Sequence, residues 1–599
     1  MTKPHSLLFA LSLLLGSTLS TTAEVSFNRD SLVVPESAKV TVSAENYPGI
    51  TNPNPRGGWY YKCANIVLAA DGSLVASWQL SDNHVSLMSH IMVARSSDGG
   101  RTWGDYQSIA QADVWLDHSV YVVPQMSVLR DGRIVIISDW GKRHPGQSFP
   151  MLAHWQKPDR GMANFIFWSE DNGKTWTKPE KIDDVGGEPG YILEMSDGTL
   201  AYTRTSSNTT DLLKNPPLPW GDIYYRNEIV FSDDRGSTWG RPTWVSDSPF
   251  YGDCEVGLVE LSPNHLLGVT RIGLGNGQFG HPSRLLYSDD GGRSWPRAEL
   301  APFYGQRPHI RKLQSGRYLV TYRNRWGTPG TRALVFDPQE DSGFQPNSWI
   351  LDEERCELTS NQMTLRTEHG QRGAVTFNLY PAQDDQSRVE MEATLRVDST
   401  ATNGVTLSAG CWVHLANDRV YLGDRPETGF ALDTKKWHDY RIVRENGSIR
   451  IDVDGRERLR ADIADIWVRP VRFGNRAVSG PVEAKHGHVE PYSQNRSVSH
   501  WKNVSVKVDN ATDYDIKWSW QSTQGYPDQF RRDRTVVLDY SYPGDCGYSS
   551  STQLPDGRIV IVDYTTGGDL DSYSWGAEGR GTAPFVRAYH VTEADLVRP

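Results

Sequence analysis

Short apolar stretches separated by polar turns recur along most of the chain. Each unit has an apolar strand, a turn such as Asp71-Gly72 and a second apolar strand. Apolar runs of this length bounded by turn residues are typical of β-strands, and there is almost no helical periodicity. Six copies of the unit occur, at residues 66–76, 126–136, 191–198, 256–265, 310–316 and 550–557. The pattern therefore predicts an all-β protein with six similar units.

A second repeat is an octapeptide of the form Ser-x-Asp-x-Gly-x-Ser/Thr-Trp. It begins at Ser96, Ser169, Ser232 and Ser288. Its serine and aspartate side chains are suited to bond the amides of a hairpin turn, and its glycine supplies a positive φ. Its tryptophan is placed to fill the gap between neighbouring units. We therefore predict a structural role for these aspartates, on the outer rim.

This octapeptide resembles the Asp box of the sialidase superfamily. The resemblance covers about 24–340 and 513–599. It implies a six-bladed β-propeller, with blades one to five in residues 24–344 and blade six with the ring closure in residues 513–599.

Residues 345–512, between the fifth and sixth units, have a different pattern. They lack the Asp box and contain alternating strands such as 388–395 and 448–455. This alternation predicts an inserted β-sandwich. The segment is loosely similar to laminin-G and concanavalin-like jelly rolls, and it could bind glycan or pack only as a structural module. His486, His488 and Glu490 could form a metal site, but a solvated loop is the simpler interpretation, and we predict no metal and no cofactor.

The N-terminus predicts export. Lys3 and His5 precede an apolar run at 7–15, and Thr21-Thr22-Ala23 resembles a signal peptidase site. We expect residues 1–23 to be a signal peptide and the mature chain to be secreted or periplasmic. The apolar run is too short to span a bilayer, which takes about 20 residues, and we predict no membrane span.

Charge excludes one class of partner. The chain has 62 Lys and Arg against 73 Asp and Glu, a net charge of −11, without a concentrated basic run. Nucleic-acid binding requires a basic surface, so we expect no nucleic-acid partner.

The candidate nucleophile is Tyr548, in the segment Asp-Cys-Gly-Tyr-Ser-Ser at 545–550. This segment resembles the one that carries the nucleophilic tyrosine of sialidases. A phenol suits attack beside a carboxylate-bearing carbon because it is neutral until deprotonated. Glu255, followed by Arg271, resembles the family's base and one of its carboxylate-binding arginines. The resemblance implies that Glu255 accepts the Tyr548 proton and that Arg271 binds the substrate carboxylate.

Further arginines make the predicted pocket cationic, which suits an acidic sugar. Arg332 is similar to the last carboxylate-binding arginine of the family. Arg307 is a rival for that role because it enters a channel-lining strand directly. Arg204 and Arg323 end second strands near the offset of Arg271, and we expect some of these arginines to be structural.

The first blade departs from the family pattern. Where the family has an arginine in Tyr-Arg-Ile-Pro, this chain has Lys62. An arginine can bind a carboxylate through two parallel hydrogen bonds, whereas a lysine offers a single point charge. The nearest candidate for the aspartate acid/base is Asp82. His84, His90 or Asp117 could serve instead.

The residues and the resemblance together imply a retaining exo-glycosidase that releases a terminal acidic sugar, with sialic acid as the first candidate, from a glycan or glycoconjugate. Two alternatives stay open. One is a hydrolase or lyase of a uronate-containing polysaccharide on the same propeller, which Lys62 favours. The other is a non-catalytic glycan-binding protein.

Overall fold

The computed structural model describes residues 33–52, 59–84, 86–144, 161–208, 224–248, 251–272, 283–303, 305–324, 330–339, 347–348, 356–368, 375–379, 386–400, 404–423, 425–466, 471–475, 496–509, 515–527, 535–541, 546–567 and 584–597. The predicted signal peptide and the group of His486, His488 and Glu490 lie outside these residues.

Six antiparallel four-stranded sheets form the blades. A short strand, β1 (Lys39–Thr41), comes first. Blade one consists of β2 (Tyr60–Leu68), β3 (Leu74–Ser81), β4 (Met88–Ser96) and β5 (Gly104–Asp113). Blade two consists of β6 (Ser119–Val128), β7 (Ile134–Lys142), β8 (Met162–Ser169) and β9 (Glu180–Lys181). Blade three consists of β10 (Leu193–Glu194), β11 (Leu200–Ser207), β12 (Tyr225–Ser232) and β13 (Gly240–Ser246).

Blade four repeats this order. It consists of β14 (Asp253–Ser262), β15 (His265–Ile272), β16 (Arg284–Ser288) and β17 (Arg297–Leu300). Blade five begins with β18 (Gln306–Lys312), β19 (Tyr318–Asn324) and β20 (Gly330–Phe336). The chain then leaves the propeller before blade five has its fourth strand.

Two large sheets follow. In chain order these strands are β21 (Asn347–Ser348), β22 (Cys356–Leu358), β23 (Met363–Thr367), β24 (Val375–Asn378), β25 (Arg388–Thr400), β26 (Val405–Ala409), β27 (Trp412–Leu415), β28 (Arg419–Leu422), β29 (Arg425–Ala431), β30 (His438–Glu445), β31 (Ser448–Val453), β32 (Arg456–Asp462), β33 (Val471–Asn475), β34 (Ser497–Asp509) and β35 (Ile516–Gln521).

These strands form a β-sandwich. The seven-stranded sheet has the order β21-β24-β33-β26-β27-β28-β29, and the eight-stranded sheet has the order β22-β23-β34-β25-β30-β31-β32 with β35 beside β34. Alternate residues of β25, such as Met391 and Leu395, are buried in one hydrophobic cluster with Phe473 of the other sheet. In the eight-stranded sheet the period-two pattern of β25 thus gives an apolar face, and this face shares a core with the other sheet.

The chain returns to the propeller later than the expected boundary at 513. Because β35 pairs with β34, the sandwich continues to Gln521. The next strand, β36 (Val536–Tyr540), pairs with β20 and completes blade five, although we had assigned this region to blade six. Blade six then consists of β37 (Gly547–Gln553), β38 (Ile559–Thr565) and β39 (Phe585–Val591), with β1 at its edge.

The six blades close into a ring. The first strand of blade one contacts those of blades two and six, and the first strand of blade five contacts those of blades four and six. The strand β1, from the start of the chain, pairs with β39 near its end. The six-bladed all-β fold predicted from the repeats is confirmed. In the described part of the chain, no helix is long and apolar enough to cross a bilayer.

The Asp boxes form the hairpin turns between the third and fourth strands of blades one to four. In blade two, Asp171 accepts hydrogen bonds from the Ser169 hydroxyl at 2.9 Å, the Thr175 hydroxyl at 2.6 Å and the Thr175 amide at 2.8 Å. Despite its partial burial, these donors lower the pKa of Asp171 to about 2. The corresponding bonds recur at Asp98, Asp234 and Asp290.

Each Asp-box turn also contacts the neighbouring blade. A Cβ on Gly173, whose φ is +80°, would lie 2.9 Å from a methyl group of Val75 in blade one. A Cβ on Gly236 would lie 2.7 Å from the Trp168 ring in blade two. Only glycine fits such an approach, so the turns lock adjacent blades together.

Candidate active site

Six residues, one from each blade, form what we call the bulge ring. Each has a left-handed backbone with φ between 47° and 55°. They are Cys63, Val123, Glu188, Glu255, Arg307 and Tyr548. In every blade but the third, a register shift between the first and second strands coincides with the bulge. In blade three, the Thr205 amide donates to the Gly187 carbonyl and the Gly190 amide to the Thr203 carbonyl, which skips Glu188 in the same way.

Left-handed conformation at a residue other than glycine costs about 1–3 kcal/mol. Bulges re-aim a side chain, and they are frequent beside active sites. The bulge ring divides into two halves by chemistry. Cys63 and Val123 belong to an apolar cluster against which the Tyr548 ring packs, whereas the other three members are Glu188, Glu255 and Arg307.

The second strands supply a parallel set of side chains. Arg271 lies opposite Cys254, Arg323 lies opposite Gln306 and Tyr564 lies opposite Gly547. Each of these partners immediately precedes a bulge-ring residue. Arg271, Arg323 and Tyr564 are therefore equivalent positions in blades four, five and six.

Tyr548, Glu255 and Arg271 meet directly. The Tyr548 hydroxyl donates to Glu255 Oε1 at 2.6 Å. Arg271 Nη1 donates to the same oxygen at 2.7 Å and lies 3.3 Å from the Tyr548 hydroxyl. Glu255 is almost fully buried, whereas the Arg271 side chain is 19% exposed. The structure thus brings together three residues that the sequence singled out from different blades.

Arg307 supports this group from blade five. Its backbone amide donates to Glu255 Oε2 at 3.0 Å. Its guanidinium donates to the carbonyls of Glu188, at 3.0 Å, and Pro189. Because its side chain binds backbone carbonyls, Arg307 stabilises the structure of the site. The guanidinium centres of Arg307 and Arg323 each lie 5.8 Å from the Tyr548 ring.

These contacts set the protonation of the pair. Burial tends to raise the pKa of Glu255, but the Arg271 and Arg307 charges and the Tyr548 hydrogen bond outweigh it, so this pKa lies below its usual value. Burial and the Glu255 charge raise the pKa of Tyr548 well above its usual value. The resting pair is therefore a neutral phenol beside a carboxylate, which is the arrangement that a base and a nucleophile need.

Glu188 is the site residue that we did not predict. The charge of Glu255 acts on its carboxyl group, so the two carboxyl groups are near each other. Burial, followed by the charge of Glu255, raises the pKa of Glu188 to about 8. A signal was present in the sequence, since Glu188 shortly precedes the first strand of blade three as Glu255 does in blade four.

Lys62 lies beside the bulge ring in blade one. Its ammonium group donates to the His84 carbonyl at 2.7 Å, and burial lowers its pKa to about 8. The charges of Glu188 and Asp82 act on it in the opposite direction. Lys62 is therefore near the carboxyl groups of Glu188 and Asp82.

Asp82 begins the loop between β3 and β4. Its Oδ1 accepts from the Leu87 amide at 2.8 Å and the Met88 amide at 3.1 Å, and its Oδ2 accepts from the Asn83 side chain at 2.5 Å. These contacts hold the loop. Asp82 lies near Lys62, since its charge raises the pKa of that lysine.

The three alternatives to Asp82 have different surroundings. His84 is exposed and lies 3.2 Å from the Tyr60 hydroxyl. His90 is buried in the middle of β4, where its Nδ1 contacts Ser108 at 2.8 Å. Asp117 accepts from the Asp113 amide at 3.1 Å in a turn. Of the three, His84 is the one whose backbone contacts Lys62.

Two of the predicted arginines occupy other positions. Arg204 is one residue away from the bulge-facing Thr205, so its side chain points to the opposite face, where it pairs with Asp183 at 3.1 Å and Glu228 at 2.7 Å. Arg332 lies in the third strand of blade five, opposite Tyr322 and Val537. In blade five, Arg323 has the register of Arg271.

The site offers no cluster of metal ligands among the described residues, where no group of three His, Cys, Asp or Glu side chains could hold an ion. All five cysteines are buried. Burial raises the pKa of Cys63 to about 12, so this thiol stays protonated at neutral pH.

The chain is similar to several known proteins. Residues 72–355 match a family model described as the BNR repeat-like domain. The chain is 24% identical to a sialidase of Paraclostridium sordellii over 33% of its length and 49% of that protein. It is 25% identical to a sialidase of Micromonospora viridifaciens over 39% of its length and 36% of that protein.

The chain thus matches half or less of the length of these curated relatives. Among solved structures, Trypanosoma rangeli sialidase in complex with sialic acid aligns with 84% of this chain and 99% of that chain, at 13% identity and a TM-score of 0.37. The repeats, the blades and the sequence relatives of this chain support the superfamily of BNR-repeat propellers that includes the sialidases.

Proposed function

We propose that the protein is a retaining exo-glycosidase that releases a terminal acidic sugar, with sialic acid as the substrate. The observation that carries the proposal is the triad in which the buried Glu255 accepts hydrogen bonds from both Tyr548 and Arg271. A neutral phenol beside an anionic sugar avoids the repulsion that a carboxylate nucleophile would meet. Sequence similarity adds support, since the curated relatives are named sialidases.

In the proposed first step, the Tyr548 oxygen attacks the anomeric carbon and the glycosidic C–O bond breaks. The phenol proton passes to Glu255, and Asp82 gives a proton to the departing oxygen. In the second step, water attacks the same carbon and gives a proton to Asp82, and the bond to Tyr548 breaks. Glu255 then returns the proton to the phenolate. Two displacements leave the anomeric configuration unchanged.

The substrate carboxylate is assigned to the cationic side of the site. Arg271 is partly exposed, and its Nε is a buried donor without a partner in the part of the chain that the structure describes. Arg323 has the same register in the next blade. We propose that these two arginines and Lys62 hold the carboxylate, with Arg307 in a supporting position. A guanidinium binds a carboxylate through two parallel hydrogen bonds, whereas Lys62 adds a point charge.

The test is product analysis of the purified protein on a pool of sialylated glycans. We expect free sialic acid by mass spectrometry, with the α anomer appearing first in a proton NMR time course. A 3-fluoro sialosyl fluoride should add one sugar mass to the peptide that contains Tyr548. Release of the β anomer first, or labelling of another residue, would contradict the mechanism.

The second candidate is cleavage of a uronate-containing polysaccharide. The observation that favours it is Lys62, which replaces the first carboxylate-binding arginine of the family pattern with a single donor group. A uronate lyase forms an unsaturated product that absorbs in the ultraviolet. Absorbing products from a uronate polymer, together with no release from sialosides, would select this function.

A further inference from the structure

Three equivalent residues of the second strands make the same kind of contact. Each lies opposite the residue that precedes a member of the bulge ring, in blades one, two and three: Gln79, Asp139 and Thr205. Its side-chain oxygen accepts the backbone amide of the bulge-ring residue in the next blade, at 3.4, 3.1 and 3.1 Å respectively. A bulge interrupts the strand ladder, and a buried amide needs an acceptor. In these three blades, the second strand therefore holds the next bulge in place.

Blade four departs from this arrangement. Its equivalent residue is Arg271, whose side chain has only donors. The amide of the next bulge-ring residue, Arg307, donates instead to Glu255 Oε2 at 3.0 Å. Glu255 thus supplies the acceptor for blade five, while its other oxygen accepts from Tyr548 and Arg271. Both oxygens of this carboxylate have fixed partners, so its backbone must also hold one position.

The backbone of Glu255 is held by the two neighbouring blades. Its φ is 49°, and its amide donates to Thr205 Oγ1 at 3.1 Å. The Thr203 hydroxyl donates to the Val256 carbonyl at 2.6 Å, and both threonines are buried. On the other side, a Cβ on Gly257 would lie 2.5 Å from a backbone oxygen of blade five. Left-handed strain persists where the surroundings impose it, and here blade three supplies the acceptor.

We propose that Thr205 is a positioning residue for the base of the proposed mechanism. Its hydroxyl oxygen holds the Glu255 amide in the bulge, and the bulge aims the Glu255 carboxylate at the Tyr548 hydroxyl, 2.6 Å away. The inference rests on the proposed roles of Glu255 and Tyr548. It extends the proton-transfer pair, whose members lie in blades four and six, to a backbone contact made by blade three.

The test is Thr205→Val, which keeps the shape of the side chain but replaces the accepting oxygen with a methyl group. The Glu255 amide then lies buried without its acceptor, and such a donor is costly to leave unpaired. We expect the bulge to relax and the carboxylate to move. A misplacement of about 1 Å costs up to about 100-fold in rate, so kcat on a sialoside should fall by about 10- to 100-fold.

Two further features mark a positioning role. KM should change by less than about threefold, because the groups assigned to the substrate carboxylate, Arg271, Arg323 and Lys62, lie outside this bulge. Thr205→Ser retains the accepting oxygen, so its kcat should stay within about twofold of the wild-type value. Thr205→Ala removes the same oxygen without adding a methyl group, and it replaces Thr205→Val if that variant does not fold.

Thr243→Val is the matched control. The Thr243 hydroxyl also joins blade three to blade four, because it donates to the Gly292 carbonyl in an Asp-box turn at 2.8 Å. Its strand, β13, is the outermost of blade three. We expect Thr205→Val and Thr243→Val to lower the melting temperature by similar amounts, whereas Thr243→Val should keep the wild-type kcat. This comparison separates the position of Glu255 from the packing of the two blades.

The acid side of the pH profile is a readout that blade packing does not move. Burial raises the pKa of Glu255, and the Arg271 and Arg307 charges and the Tyr548 hydrogen bond bring it below its usual value. If the carboxylate moves away from these groups, its pKa rises, so the acid limb of kcat/KM should shift to higher pH in Thr205→Val. The titratable or charged groups that act on Glu255, or on which it acts, stay the same in this variant: Cys63, Glu188, Tyr225, Cys254, Arg271, Arg307 and Tyr548.

A crystal structure of Thr205→Val tests the same point without turnover. We expect the Glu255 backbone to leave the left-handed conformation and the bond between the Tyr548 hydroxyl and Glu255 to be lost, whereas Thr205→Ser should keep both. If the wild type released no acidic sugar, the proposed function would fail, and these structures would still show whether Thr205 sets the position of Glu255.

Three results would overturn the proposal. The first is a kcat of Thr205→Val within about twofold of the wild-type value. The second is an equal fall of kcat in Thr205→Val and Thr243→Val, which would make the loss an effect of blade packing. The third is a Thr205→Val structure in which Glu255 keeps its conformation and its bond to Tyr548.

Discussion

Tyr548 and Glu255 are 293 positions apart in the chain, and a hydrogen bond of 2.6 Å joins their side chains. They occupy equivalent bulges in blades six and four, with Arg307 of blade five between them in the ring. The pair therefore forms only when blades four and six are brought together on either side of blade five, although the sandwich separates the two residues in sequence.

The first prediction concerns the nucleophile. Tyr548→Phe keeps the ring that packs beside Cys63 and Val123 but removes the attacking oxygen. We expect kcat on a sialoside to fall by at least about 1000-fold, as for the loss of other covalent nucleophiles. The measurement is release of free sialic acid.

Tyr191→Phe is the matched control for Tyr548→Phe. The Tyr191 hydroxyl is also partly buried in the propeller, and it donates to the carbonyls of Leu258 and Ile310, the latter at 2.9 Å. Its loss should cost about 1 kcal/mol of stability and leave turnover intact. If both variants lost activity equally, the loss in Tyr548→Phe would reflect disturbed packing and not a missing nucleophile.

The second prediction concerns the proton donor. Asp82→Asn should lower kcat on natural sialosides by about 100- to 1000-fold, because the departing sugar oxygen then leaves without a proton. An aryl sialoside, whose leaving group needs no proton, should lose less than about tenfold. The same two substrates, tested on His84→Gln, show whether His84, the other candidate in this loop, is the proton donor instead. Equal losses on both substrates in Asp82→Asn would show that Asp82 acts only through its hydrogen bonds with the Leu87 and Met88 amides, which hold the loop.

The Asp boxes could be predicted because their interactions are local. Every bond of Asp171 reaches a partner within four positions along the chain. Local spacing therefore specifies the turn, and four turns of one kind specify a repeated blade. Tyr548, Glu255 and Arg271 were found in a different way, since their sequence contexts resemble a known family.

The remaining features depend on register and on distant pairing. Glu188 lies in a glycine-rich segment, and its strand β10 has only two residues, so no strand pattern marks it. Arg204 is one residue away from a position that faces the site, and neighbouring residues of a strand face opposite sides. Sequence spacing alone does not show which of the two sides Arg204 faces. Likewise, β36 joins β20 across the whole sandwich, a pairing that no local pattern encodes.

The third prediction concerns stability at acid pH. Asp171 has a folded-state pKa of about 2, below its usual value, so it stabilises the fold above the unfolded value and this contribution is lost as pH falls through about 2. Asp171→Asn should cost about 1 kcal/mol at pH 7, as for the loss of a capping side chain. Thermal melting should show the gap between wild type and variant closing between about pH 4 and pH 2. Glu170→Gln, an exposed change on the same turn, should not open such a gap, and a gap that persists at pH 2 would contradict the linkage.

The fourth prediction concerns Lys62, whose pKa burial lowers to about 8. As pH rises through this value, the lysine loses the charge that we assign to the substrate carboxylate, so KM of the wild type should rise between about pH 7 and pH 9. Lys62→Arg stays charged and offers two parallel donors, so its KM should stay flat over this range and be about five- to tenfold lower at pH 9. Lys62→Met should have the high KM at every pH. Initial rates on one sialoside across this range measure all three enzymes, and parallel KM profiles in wild type and Lys62→Arg would remove Lys62 from the binding site.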